Sequence, residues 1–248
     1  MAYSRYLGVV LAGMLLLVAV HAQTPGTAPP AGASQTPGKV PADVAKVERL
    51  MAARRDYQRA LEQLREYYIQ TGDIERAKWA EEELILYHRI QKHCFILDLD
   101  VPGTLLKATL NIPDANELFK QAMTYKDKGW MGNDYIDNQR RAELLLQKIL
   151  TLYPESNKIG EVAYQLGDLY ESKAYRDYRR AALYFERSFQ WNPNTQSDGR
   201  LRAARLYDKY LSERSRAMEL YKEVTMTEID PKRLTEAQKR LAELSGKK

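Results

Sequence analysis

The sequence predicts an all-α protein made of stacked helical hairpins. Three observations carry this expectation. Apolar residues recur at three- and four-residue spacing from Ala42 almost to the C-terminus, with one break at 93–113. A set of small and aromatic residues returns at intervals close to the length of one hairpin. An acidic residue ahead of an Arg-Ala pair returns at the expected helix starts.

The first segments stand apart from the fold. Residues 1–22 read as a secretory signal peptide: Arg5 gives a positive start, Leu7 to Val20 is an apolar run short for a membrane span, and Val20-His21-Ala22 puts small residues at the two positions that govern cleavage. The alternative is an uncleaved N-terminal anchor. Cys94 is the one cysteine and lies far from the cut, which argues against a lipid-anchored lipoprotein. Residues 23–41 are rich in Pro, Gly, Ala, Ser and Thr, bury too little apolar surface to order themselves, and read as a flexible linker. Together they predict a periplasmic or secreted protein, or a membrane-anchored one if the first segment is retained.

Residues 42–92 form the N-terminal helical segment. Val44, Val47, Leu50 and Met51 define a first apolar face. Asp56 to Gln70 predicts a second helix with Tyr57, Leu61, Leu64 and Tyr68 on one side. Thr71-Gly72-Asp73 reads as a stop and restart, and Asp73 to about Lys92 as a third helix. The hairpin register is open here: Ala60, Leu64 and Tyr67 suit a second helix, whereas Leu61, Leu64 and Tyr68 suit a first helix leading to Ala77. Residues 93–113 form a connector. Phe95 to Val101 is β-prone, Pro102-Gly103 is a turn, and a short hairpin or an extended strap both fit.

Residues 114–231 hold three repeats. The middle one, Gly160 to Pro193, sets Leu166, Gly167 and Tyr170 on a first helix and Ala181 and Phe185 on a second. Gly167 admits a close helix approach where a side chain would clash, with Ala181 as the matching small residue. Trp191 is assigned to the seam with the next repeat, and Pro193 ends the unit. Ala142, Leu146, Ile149 and Pro154 repeat the second-helix half one period earlier, Pro154 and Pro193 being 39 residues apart; Ala217, Tyr221 and Val224 repeat it later, Ala181 and Ala217 being 36 apart. First-helix halves precede both, as Leu118, Ala122 and Tyr125 and as Ala204 and Tyr207. The first repeat carries an insertion, Gly129 to Asn133, in which Trp130 either projects on a loop or folds back onto the helices. Asp230-Pro231 caps a final helix over 232–248, whose Lys232, Arg233, Lys239 and Arg240 give a polar outer face.

The Arg-Ala pairs mark helix starts. Asp56, Asp73, Asp177 and Glu213 each precede one by three residues, and Asp137 precedes Arg141-Ala142 by four. Acidic residues favour N-caps and first turns.

This order of residue types over 114–231, with weaker similarity back to Ala42, resembles the tetratricopeptide repeat (TPR) family, hairpins of about 34 residues. With the signal segment, the closest likeness is to exported bacterial TPR proteins that support envelope assembly and cell division. The resemblance implies a right-handed α-α superhelix whose first helices line a concave groove for a peptide or partner helix. Placing Ala122, Gly167 and Ala204 at the family's small-residue position assigns that groove to Phe119, Met123 and Lys126, to Tyr164, Asp168 and Glu171, and to Leu201, Arg205 and Asp208. The set lacks the Lys/Asn arrangement of chaperone-tail binders. Ala163 stands where the family has a large residue, and the spacings vary, so the superhelix is expected to be irregular. A segment of this chain filling the groove is the alternative occupant.

Charge and chemistry narrow the function. The net charge of +5 over 248 residues falls to about +4 without Arg5, too mild for a nucleic-acid partner. Cys94 reads as a small buried hydrophobe rather than a reactive thiol. His88 and His93 are five residues apart and share no helix face. With Cys94 they make an incomplete metal set, and no P-loop, GxSxG, HExxH or CxxCH motif occurs. No cofactor and no catalytic residue is expected. The expected function is a non-enzymatic protein–protein interaction scaffold of the bacterial cell envelope; the alternative is a structural, self-assembling envelope protein. An enzyme using Cys94 or the histidines ranks third.

Overall fold

The computed structural model describes residues 43–128 and 132–246, with Asn133 through its backbone alone. The expected signal peptide and linker, and Trp130 of the insertion, lie outside the described residues. Among those described there are ten helices and no strand: α1 (Val44–Gln70), α2 (Ile74–Arg89), α3 (Leu97–Asp100), α4 (Pro113–Lys126), α5 (Gly132–Leu152), α6 (Ile159–Glu171), α7 (Tyr178–Trp191), α8 (Gly199–Lys209), α9 (Arg214–Thr227) and α10 (Pro231–Leu244). The chain is all-α. From α4 onward each helix packs on its neighbour in the chain, α1 packs on α2, and α2 reaches α5.

The N-terminal segment holds two helices where the sequence predicts three. Ala52, Ala53, Arg54 and Arg55 are strong helix formers, so nothing interrupts α1, and Asp56 sits inside it, 3.4 Å from Arg59. Asp137 likewise lies inside α5, which begins at Gly132. The other acids mark starts. Asp73 accepts from the backbone N–H of Arg76 at 3.0 Å and Asp177 from that of Arg180 at 3.2 Å. Asp230 accepts from Lys232 and Arg233 at 2.9 and 3.0 Å. Glu213 holds the N-cap position of α9 without a side-chain capping bond, its carboxylate meeting Arg179 at 2.8 Å instead, in keeping with glutamate's absence from the favoured caps.

The connector forms no hairpin. After the single turn of α3 it runs as a strap, pinned to the end of α7 and to the turn after α5. Arg187 Nε donates to the Pro102 carbonyl at 2.8 Å and Trp191 Nε1 to that of Gly103 at 2.9 Å. The Ala108 N–H returns a bond to the Trp191 carbonyl at 3.0 Å, and Leu110 N–H bonds Glu155 O at 2.9 Å. Buried Trp191 thus gives its indole N–H to the strap, not to a following repeat.

The core runs continuously from Val101 to Ala237. It is closely packed around Phe185 on α7. A Cβ on Gly167 of α6 would stand 2.7 Å from the Phe185 ring, and one on Gly199 of α8 would stand 2.5 Å from Ser188 Oγ and 3.2 Å from the Phe185 carbonyl. Two glycines therefore let α7 approach both helices that flank it. By contrast, α1 and α2 bury only Val47, Leu61, Ala77 and Ala80.

Candidate functional site

The nine residues expected in the groove lie on α4, α6 and α8, as assigned, and six of them are polar. All six are engaged by another residue of this chain. Lys126 Nζ stands 2.5 Å from Asp168 Oδ2, and Arg202 of α8 closes on the other oxygen of that carboxylate at 2.6 Å. Arg202 also meets Glu171 at 2.5 Å. The Tyr164 hydroxyl donates to Asp198 at 2.7 Å. Arg205 donates to Glu236 at 2.7 Å, and Arg240 stands 2.6 Å from Asp208, so both bonds reach α10. The result is a ladder of ion pairs crossing α4, α6, α8 and α10. Burial alone would raise the Asp168 carboxyl, but the Lys126 and Arg202 charges outweigh it and hold it below the ordinary carboxylate range.

The three apolar positions divide. Phe119 and Met123 are half-buried against the core, whereas Leu201 is buried within it. Phe119, Tyr164 and Leu201 each lie three residues before the small residue of their helix, so all three share its core-facing side. The longer rings of Phe119 and Tyr164 emerge from that side and Leu201 does not. Arg202, the hub of the ladder, was absent from the expected set. Its signal in the sequence is an opposite charge two helices away, at Asp168.

A second site has no counterpart in the sequence reading. A cavity of about 900 Å³ opens between α1, the end of α2, the connector and α5. Its floor is a buried polar network. Glu143 accepts from Tyr170 at 2.7 Å and also from Tyr175, while Gln147 donates to Tyr184 at 2.9 Å. The Arg140 guanidinium lies 4.0 Å from the centre of the Tyr175 ring and Arg180 lies 4.6 Å from that of Tyr170. Eight basic side chains and four carboxylates line the cavity. Arg54, Arg55, Lys92, Arg141 and Lys148 are among them, and none has an ion-pair partner among the described residues.

The titratable groups of this region carry the mark of that surplus. Burial, and then the charges of Lys92, Arg140 and Arg141, push His88 down to about 4, although Glu143 pulls the other way. Burial holds Lys92 near 8 against the pull of Glu143, with Arg140 and Arg54 adding to the shift. Burial and the neighbouring Asp100 raise the Cys94 thiol to about 12, which makes it a poor nucleophile at neutral pH. Among the described residues no group of three His, Cys, Asp or Glu is arranged to hold a metal ion.

The N-terminal hairpin also exposes apolar surface. Trp79, Leu86 and Ile90 are each more than half exposed, and their spacing of seven and four residues puts them along one side of the chain at α2. No helix among the described residues is long and apolar enough to cross a membrane. Compared with protein-family models, with curated proteins and with solved structures, the chain has no significant match in any of the three.

Proposed function

We propose that this protein is a non-enzymatic interaction scaffold of the bacterial cell envelope, a TPR-like solenoid that binds a peptide or partner helix along the face carried by α4, α6 and α8. The observation that carries this reading is the Lys126–Asp168–Arg202 chain of ion pairs. It links three alternate helices on one side, as first helices of successive hairpins would be linked. A face stiffened in this way loses little freedom when a partner docks, which favours binding. Phe119, Met123 and the Tyr164 ring supply apolar anchors between the charges. Export through the N-terminal segment is part of the same reading.

Site-specific photo-crosslinking in the native cell tests it. A crosslinker at Met123 is expected to capture one partner, while one at exposed Lys222 on α9 captures none. Equal capture from both positions, or capture from Lys222 alone, would overturn the groove.

A second reading, self-assembly, is favoured by the exposed apolar side of α2. Light scattering across protein concentration separates the two, because a protein that stays monomeric at high concentration does not self-assemble through that surface.

A further inference from the structure

We propose that the cavity between α1, α2, the connector and α5 is a binding site for a small multivalent anion, a compound carrying two or more phosphate or carboxylate groups. The charge balance argues for it. Of the carboxylates in the cavity, Glu143 is already bonded to Tyr170 and Tyr175, and Asp100 stands 3.9 Å from Arg180. Glu62 and Asp98 are exposed. Five basic side chains, half-buried Arg54, Lys92 and Arg141 and exposed Arg55 and Lys148, line this one space with no carboxylate paired to them among the described residues. The ion-pair ladder makes the contrast plain. There Lys126, Arg202, Arg205 and Arg240 all have carboxylates.

Residues 1–42 contain no Asp or Glu, so that stretch brings no side-chain carboxylate to the site. The volume of about 900 Å³ is that of a small-molecule site. Arginines dominate the lining, and their planar forks suit phosphate and carboxylate oxygens. The site is independent of the partner-binding face, so either can stand without the other.

Calorimetric titration of the purified protein with tripolyphosphate, and separately with citrate, tests the proposal. Saturable one-site binding of at least one anion is expected, weakening as salt is raised. Which of the two binds tells a phosphate from a carboxylate ligand. The double variant Arg141→Gln/Lys148→Gln, and separately Arg55→Gln, should weaken binding, the double variant by about tenfold or more. Arg205→Gln, in the ladder, should leave it unchanged. No saturable heat with either anion would overturn the proposal, as would binding indifferent to both cavity variants. Binding of an oligoglutamate peptide but of neither small anion would also overturn it, in favour of an extended acidic segment.

Discussion

Asp168 on α6 meets the guanidinium of Arg202 on α8 at 2.6 Å, and the two residues stand one hairpin apart in the chain. Lys126 holds the second carboxylate oxygen at 2.5 Å. Replacing Asp168 with Asn leaves both cations short of a partner in a half-buried setting. The cost should fall between the limits for surface and buried pairs, about 1–3 kcal/mol. Urea unfolding of Asp168→Asn measures it, and the loss should shrink in the Lys126→Met background, where one orphaned charge is gone.

The contact between Gly167 and Phe185 sets a second expectation. Alanine is the better helix former, yet its methyl would lie 2.7 Å from a ring held in the core. Overpacking should win, and Gly167→Ala should lose about 1–2 kcal/mol. Phe185→Leu in the same chain should recover part of that loss. Thermal melts of the single and double variants decide it.

Burial keeps His88 neutral in the fold down to about pH 4, whereas an unfolded chain takes up this proton near the ordinary 6.5. The unfolded state then binds more protons between those values, so stability is lost as pH falls from 6.5 toward 4. The groups facing His88 are Lys92 after its own helix and Arg140, Arg141 and Glu143 from α5. His88→Phe should flatten the dependence of unfolding free energy on pH across this window, while Asp168 continues to act below it.

Cys94 should be slow to react. Raising a thiol from 9 to about 12 cuts its thiolate at pH 8 by roughly a thousandfold. Iodoacetamide labelling is expected to be negligible over an hour in buffer and complete in denaturant. Fast labelling of the native protein would mean that the thiol is not held beside Asp100.

What the sequence made legible was the part governed by local rules. Helical spacing, the caps at Asp73, Asp177 and Asp230, and the need for a glycine at 167 all follow from residues a few positions apart. Asp56 misled because an acid before Arg-Ala serves equally well as a mid-helix partner for Arg59. The strap was ambiguous because its bonds are made to Trp191 and Glu155, far along the chain. The ladder was half visible: Lys126, Asp168, Glu171, Arg205 and Asp208 were named, but Arg202, Asp198 and Glu236 were not, nor was the pairing across helices. The cavity was invisible: Arg54, Lys92 and Arg141 come from separate elements, and each alone looks like a solvated charge.

The strap also bears on how the protein comes apart. Helices that touch only their chain neighbours can fray from either end, each hairpin melting nearly on its own. Trp191 and Gly103, 88 positions distant, join the end of α7 to the segment that leads into α4. Opening the first hairpin therefore strips cover from the middle one, and the centre of the molecule is made to melt with its beginning. Trp191→Phe weakens that tie, removing one hydrogen bond and some ring area worth about 1–2 kcal/mol while the Arg187–Pro102 and Ala108–Trp191 backbone-carbonyl bonds remain. It should broaden the unfolding transition, with proteolysis beginning near exposed Leu105.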